Sequence, residues 1–460
     1  MELGKLIAPE LKELLTDEPS AVRELATEFH PQDVADSLLE IDSAAVARAL
    51  LSFPLEYSAQ VFERLEEEKQ VAVARELGID STVNIVSEMD ADEVVGFFRL
   101  LPEPIVSKLL GRLAKVDPVT AAEVQELTQY GEYTAGGMMT SEFVEVPVGA
   151  TVDETLNELR RNAALGLEVL DVVFVMDAGQ KVVGYVPLRK LLMSQPGAPI
   201  SEVMHHDLVS VPPEMDQEEV ARTMARYDLN ALPVVDQNGI MLGLITADDV
   251  IDVAMEEADE DAQRMGAIEP IEESYLSVSF WTYFRKRAPW LMVLFVGGFF
   301  TTTAMEVFSP ILTSMTQLAF YVPLLISAGG NSGSQSATMI IRGLAVGDID
   351  HGDALKVVRR EVAQGVLLGL GLGMVGVIRA LMGNDGMEMA ALVGVTIVSI
   401  VTIGCTVGAV LPLILSRFGV DPATSSTPFI ATLVDVLGIV VYLSLARLML
   451  SGLAGIQVFG

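Results

Sequence analysis

The chain has 460 residues, 51% of them apolar, and carries a formal net charge of −34 at a mean hydropathy of +0.44. The charge is unevenly spread: residues 1–280 hold 54 acidic and 19 basic side chains, whereas residues 281–460 hold 9 and 10. An acidic soluble part is therefore joined to a near-neutral membrane part. This balance argues against nucleic acid as a partner, because phosphate binding needs a basic face, and points to cations or to solubility alone.

Met1–Leu15 mixes Glu2, Lys5, Glu10, Lys12 and Glu13 with apolar residues and has no uninterrupted apolar core. It does not read as a signal peptide, so a cytoplasmic N-terminus is expected. Residues 1–132 read as short amphipathic helices with apolar positions such as Val34, Leu38, Leu39, Val46, Leu50 and Leu51 at helical spacing. Pro and Asp start signals divide them, at His30-Pro31-Gln32-Asp33, Phe53-Pro54, Asp90-Ala91-Asp92 and Leu101-Pro102. An all-α interaction domain follows from this pattern. Glu88, Asp90 and Asp92, with Glu93 beside them, crowd one turn and could also hold a shared divalent ion.

From about residue 133 the chain repeats itself, and a repeat changes how every local segment is read. Phe143–Pro147 (FVEVP) matches Leu208–Pro212 (LVSVP). Val173–Asp177, with Gly184 seven residues on, matches Leu232–Asp236, with Gly243 seven on. Each unit reads strand, helix, strand, turn, strand, helix, over 133–200 and 201–262. Leu232–Val250 (LPVVDQNGIMLGLITADDV) resembles the hallmark of a CBS domain, and the two units resemble a tandem CBS module of α/β class. That resemblance implies an adenine-nucleotide or ionic sensor, with ATP as a candidate ligand. A T-x-x-D engages a ribose diol in nucleotide-binding members, and Thr246 and Asp249 fit it, whereas the first unit has Pro187 and Lys190 instead.

The second unit concentrates acids. Glu214, Asp216, Glu218 and Glu219 open one helix, where negative charge suits the helix dipole. Glu256, Glu257, Asp259, Glu260 and Asp261 close another, where it does not. The second group is either a solvated run or a face that needs metal ions to dock. Residues 263–287 are expected to form a connecting helix that ends in Phe280, Trp281, Tyr283 and Phe284 and then Arg285, Lys286 and Arg287, a pairing of aromatic and basic residues typical of the inner membrane interface.

Within 288–460, five segments have the length to cross a bilayer: 288–309, 321–345, 362–383, 388–415 and 427–450. The second is the least hydrophobic. Basic residues at 285–287, at Arg342, Lys356, Arg359 and Arg360, and at Arg417 share one side if the N-terminus is inside, which leaves the C-terminus outside. Cys405, the only cysteine, lies in an apolar segment and can form no intrachain disulfide. The histidines, His30, His205, His206 and His351, have no Cys or His neighbours at ligand spacing, which argues against zinc or copper.

The second span contains Ala328–Thr338 (AGGNSGSQSAT), in which Asn331 and Gln335 share a face at i and i+4. Small residues there serve close packing, while the amides favour a pore-lining face. Asp435 is the sole acid of the last span. A carboxylate at membrane depth costs several kcal/mol unless it meets protein, water or a cation, so Asp435 is expected to be a cation site.

Tyr321–Ala345 and Asp421–Gly438 resemble the two signatures of the MgtE family of magnesium channels, as does the domain order over nearly the whole chain. The resemblance implies a homodimer in the bacterial plasma membrane with its pore on the dimer axis. It also implies a selectivity ring from the last residue of Pro428-x-x-Ala431-Thr432-x-x-Asp435, and closure by cytosolic Mg2+ acting through the acidic domains and the connecting plug helix. Because Mg2+ keeps several waters, one Asp435 per subunit would suffice with backbone carbonyls near Ala431 and Thr432 and with Asn331. A divalent cation exchanger is the rival function, against which the absence of an inverted repeat among five spans argues. An anion channel would need basic or helix-dipole sites in the pore, and the spans offer only Arg379 and Arg447 near their outer ends. No nucleophile and base constellation suggests an enzyme.

Overall fold

The computed structural model describes residues 28–39, 41–163, 171–271, 275 and 278–450; Met1–Leu15 lies outside them. The chain divides into two compact units, Met1–Val253 and Ala254–Gly460.

Among the described residues, the first unit begins with seven helices, α1 Pro31–Leu38, α2 Ser43–Ser52, α3 Leu55–Glu63, α4 Glu67–Val86, α5 Ala91–Arg99, α6 Glu103–Val116 and α7 Pro118–Leu127. The start signals fall where the sequence placed them. His30 Nδ1 caps α1 ahead of Pro31, Pro54 precedes α3, Asp90 precedes α5 and Pro102 precedes α6. Gly78, at φ +70°, breaks α4 in its middle. A turn α8 (Ala135–Met138) then leads into the repeats: β1 Val144–Pro147, α9 Val152–Ala163, β2 Val172–Met176, β3 Val182–Pro187 and α10 Leu188–Met193, followed by α11 Ile200–Val203, α12 Gln217–Tyr227, β4 Ala231–Val235, β5 Met241–Thr246 and α13 Ala247–Met265.

In the first repeat β1 pairs parallel to β2 and β2 antiparallel to β3. In the second, β4 pairs antiparallel to β5, and the expected leading strand shrinks to a single parallel bridge between Val211 and Val234. Pro212 and Pro213 follow Val211 and offer no N–H to extend it. Asp177 and Asp236 hold equivalent turns by accepting N–H groups from Gly179 and Lys181 and from Asn238 and Ile240, respectively.

The repeats exchange edges. Thr140, in the leading segment of repeat 1, bridges Leu244 of β5, and His205, in the leading segment of repeat 2, bridges Tyr185 of β3. Gly184 and Gly243 make this approach possible, since a Cβ would meet the His205 carbonyl oxygen at 2.5 Å and the Thr140 carbonyl oxygen at 2.7 Å.

The second unit holds α14 Phe280–Val307, α15 Ser309–Ser314, α16 Gln317–Ala345, α17 Ala354–Met382, α18 Met387–Arg417 and α19 Thr427–Leu450. Four of them, α14, α17, α18 and α19, are long and apolar enough to cross a membrane. The fifth expected span, α16, has 29 residues, and its Gly, Ser, Asn and Gln content keeps it out of that class.

The connector differs from expectation. Helix α13 stops at Met265, Ala267 takes φ +60°, and the aromatic and basic residues at 280–287 belong to the first apolar helix, capped by Ser279. No single helix spans 263–287: Gly266 ends α13, and the Gln263 amide clasps the Ile271 backbone with bonds of 2.8 and 3.0 Å, a side-chain grip that replaces helical hydrogen bonds.

Glycine stripes set the membrane packing. A Cβ on Gly408 of α18 would stand 2.2 Å from the Gly333 carbonyl oxygen of α16, and one on Gly404 would stand 2.6 Å from that of Gly329. On α17, Gly365 and Gly369 would each meet an α18 Cα atom at 2.8 Å. Such small residues let backbones touch where lipid supplies no hydrophobic drive. Gly408→Val should therefore lower stability by roughly 1–3 kcal/mol or more through overpacking, read as a fall in the melting temperature of the detergent-solubilised protein.

Candidate functional site

Two groups of carboxylates stand out, one in each unit. In the first unit a cleft of about 1110 Å³ opens between the helical domain and the repeats. Glu88, Asp90, Asp92 and Glu93 line one wall and Thr246, Asp248 and Asp249 the other. The α5 start signal delivers the first set, because Asp90 precedes the helix and Asp92 and Glu93 occupy its first turn.

Asp92 Oδ1 is buried and has no hydrogen-bond partner. Burial, followed by the nearby Asp249 and Asp90 charges, pushes the Asp92 carboxyl up to about 7. Glu93 is exposed as a residue, yet desolvation at its carboxyl and then the Asp92, Glu63, Asp249 and Asp90 charges push that group up to about 8. Burial also raises Asp90 and, against the hydrogen bond from Thr246, Asp249. Carboxylates from two domains thus line one cleft.

Thr246 and Asp249 are together as the spacing requires. The Thr246 hydroxyl donates to Asp249 Oδ2, and the Thr246 N–H donates to the same oxygen at 3.4 Å, the latter being the half of a helix capping box in which the third helical residue's carboxylate accepts from the N-cap backbone. The pair both starts α13 and lines the cleft. In repeat 1 the equivalent strand end reads Pro187 and Lys190, and Lys190 Nζ instead lies 3.3 Å from His205 Nε2.

The other acids serve helix ends. Asp216 caps α12 by accepting from the Glu218 N–H at 3.0 Å, Glu218 pairs with Arg222, and Glu214 is exposed. Glu256 and Asp259 are exposed on α13, Glu257 is half-buried, and Glu260 pairs with Arg264. Among the described residues no group of three or more His, Cys, Asp or Glu side chains is drawn together tightly enough to hold a metal by itself. Glu88 is exposed while Asp90 and Asp92 are half-buried, so the α5 turn points its acids in different directions. A hydrated Mg2+ asks for only one or two carboxylates, and the unpartnered Asp92 oxygen facing Asp249 fits that demand better than the turn alone.

In the second unit, Asp435 is half-buried on α19 and has no hydrogen-bond or ion-pair partner among the described residues. A Cβ on Gly330 of α16 would lie 3.6 Å from both Asp435 Oδ1 and Ala431 Cβ, so the absent side chain leaves that carboxylate room. Thr432 turns elsewhere: its hydroxyl donates back to the Pro428 carbonyl oxygen at 2.9 Å, and its methyl lies against Gly297 of α14. Asn331 and Gln335 are exposed together on α16, next to Gly330, and Asn331 Nδ2 donates to Ser327 Oγ at 3.3 Å. The structure therefore brings Ala431, Asp435 and the Gly330–Asn331 backbone together and leaves the Thr432 side chain out.

One acid escaped the sequence reading. Glu361 of α17 is buried at 8% exposure, and Ser336 Oγ of α16 donates to its Oε2 at 2.6 Å. Arg359 and Arg360 precede it in sequence, and only the Ser336 contact reveals its burial.

Comparison with known proteins agrees with this layout. Residues 322–445 match the family described as MgtE, divalent cation transporter, residues 29–133 match the MgtE intracellular N domain, and 135–197 and 200–256 match CBS domains. The magnesium transporter MgtE of Thermus thermophilus is 38% identical over 451 residues, 96% of this chain and 98% of that protein. The chain belongs to the MgtE family. The Bacillus subtilis magnesium transporter MgtE is 28% identical over 92% of this chain and 93% of its own length. The solved cytosolic domain of the Mg2+ channel MgtE in complex with ATP is 36% identical, with a TM-score of 0.51, over 54% of this chain and 99% of that one.

The raised carboxyls set a pH dependence. A carboxyl whose folded pKa lies above its unfolded value stabilises the fold most below the unfolded pKa, near 4, and this is lost as pH rises through the folded pKa, here about 7 for Asp92 and about 8 for Glu93. In EDTA, the melting temperature of the cytoplasmic transition should fall between about pH 5 and 9, and Asp92→Asn with Glu93→Gln should flatten that fall. Calorimetry on the full-length protein checks it.

Proposed function

We propose that this MgtE-family chain is a Mg2+ channel that works as a homodimer, with Asp435 as the cation site of its pore and the acidic cytoplasmic part as a sensor that closes the pore when cytosolic Mg2+ is high. The observation that carries the reading is Asp435, a carboxylate without a partner among the described residues, on an apolar helix and set against a glycine. Charge at that depth demands a cation or water, and the exposed Asn331 and Gln335 face beside it needs a polar surface opposite, which a second copy would supply. Hydrated Mg2+ would be held by Asp435 and by backbone carbonyls near Ala431, with Asn331 near its waters.

The basic residues fit an inside N-terminus. Arg285–Arg287 lie in the first turns of α14, Arg342 near the end of α16, Lys356–Arg360 at the start of α17 and Arg417 at the end of α18, so alternate helix ends meet the cytoplasm. Five crossings then leave the C-terminal end of α19 outside.

Sensing follows from the cleft. Without cation, Asp92, Glu93 and Asp249 repel one another and burial favours their protonated forms; Mg2+ relieves that repulsion and draws the domains together. Glu214, Asp216, Glu218, Glu256, Glu257, Asp259 and Glu260 add to the negative field that concentrates the ion. An adenine nucleotide such as ATP would use Thr246 and Asp249, which the cleft already contains.

Asp435→Asn and Asp435→Ala should abolish or degrade divalent selectivity in bilayer recordings while leaving the protein folded; wild-type Mg2+ currents in either variant would dismiss the pore assignment. Discrete unitary currents also separate a channel from an exchanger, which would show none. For the sensor, Asp92→Asn should raise the Mg2+ concentration needed to protect the cytoplasmic part from protease by about tenfold, the equivalent of one lost charge-assisted contact, and an unchanged protection curve would place the sensor elsewhere.

A further inference from the structure

The channel reading leaves open how a cytoplasmic domain reaches Asp435, and the second unit contains a direct path. Helix α13 ends at Arg264 and Met265. The Arg264 guanidinium forms ion pairs with Glu260 on its own helix and with Asp421 in the turn between α18 and α19. Arg264 is the only basic residue between Arg226 and Arg285, so α13 commits its one cation to that turn although eight acids, 248–261, surround it in sequence.

Asp421 serves two masters. Its Oδ1 accepts from the Ala423 N–H at 2.8 Å and holds the Pro422–Ser425 turn, while its Oδ2 takes the guanidinium. A second bond follows six residues on, where Thr427, the first residue of α19, donates its hydroxyl to the Met265 carbonyl oxygen at 3.1 Å. The Met265 side chain packs against the apolar core formed by α16, α18 and α19. Asp435 lies eight residues beyond Thr427 on the same helix, about 12 Å at 1.5 Å per residue. The side chains of Arg264 and Asp421 are 36% and 29% exposed, so solvent screens their attraction less than it would at an open surface.

We propose that the Arg264–Asp421 ion pair and the Thr427–Met265 hydrogen bond form the joint through which α13 sets the position of α19, making Arg264 a positioning residue for the Asp435 site. The proposal rests on the magnesium-gated channel reading. A displacement of α13 pulls on Asp421 and Thr427 together, and a helix anchored at its first residue moves as a rod. Glu260 competes for the same guanidinium, so charge on α13 biases how firmly the joint is held.

The test is unitary-current recording of the full-length protein in planar bilayers with cytosolic Mg2+ titrated, for wild type, Arg264→Ala, Asp421→Ala, the double alanine variant and the swap Arg264→Asp with Asp421→Arg. The two single variants are expected to shift the half-closing Mg2+ concentration about fivefold in the same direction, the range of a modest coupling energy. The double variant should go no further, the swap should return towards wild type, and unit conductance and ion selectivity should stay unchanged, which also shows that the variants fold. Half-closing concentrations within about twofold of wild type in both single variants, or effects that add in the double variant, overturn the joint while the gating reading stands. A wild type that Mg2+ does not close overturns the gating reading, and the joint with it.

Discussion

Carboxylates that the protein's own side chains leave unpaired govern this molecule. Asp435 sits on an apolar helix with no hydrogen-bond or ion-pair partner among the described residues, and Asp92 keeps a buried oxygen without one, so each unit holds a carboxylate whose energy depends on what arrives from solution. The remaining architecture serves that condition. Glycine at 330 leaves the Asp435 carboxylate uncovered, and the α5 helix start holds Asp92 and Glu93 against the second repeat. A side chain that bonded either group internally would remove its need for an ion.

Much of this was legible in the sequence, because the decisive features are local. Asp435 stands out as an acid in an apolar run, the helix starts follow from Pro and Asp caps, and the repeats align through FVEVP and LVSVP. What escaped depends on distance or on a single unusual residue. Asp92 meets Asp249 across more than 150 positions, so no spacing rule joins them. Glu361 carries no sequence signal of its own, and its partner Ser336 lies 25 positions away on another helix. The connector is polar, but Gly266 and Pro270 are stop signals that the helical expectation passed over; Gly266 and a left-handed Ala267 end α13, and the Gln263 amide holds the chain away from the helix axis. The leading strand of the second repeat lost its ladder to Pro212 and Pro213.

The glycine stripes and the polar face of α16 show one helix meeting opposite demands. Gly329 and Gly333 face α18 and let two backbones touch, whereas Asn331 and Gln335 face outward from the same turns. Hydrophobicity is low on both faces for different reasons, which is why α16 fails the composition threshold that its four neighbours pass. Helices built this way are held by packing on one side and by a polar partner on the other.

The crossed pairing of the repeats has a consequence of a different kind. Thr140 completes the sheet of the second repeat and His205 that of the first, so neither repeat owns its outer edge. A lone repeat would present unpaired backbone groups along that edge, and the nearest surface able to satisfy them is the same segment of an identical copy. Two such copies need only exchange leading segments to rebuild the paired arrangement, which makes a duplicated single chain and a swapped pair of half-length chains structurally interchangeable. The linker that joins the halves here fixes stoichiometry, while the fold itself is written in the exchange.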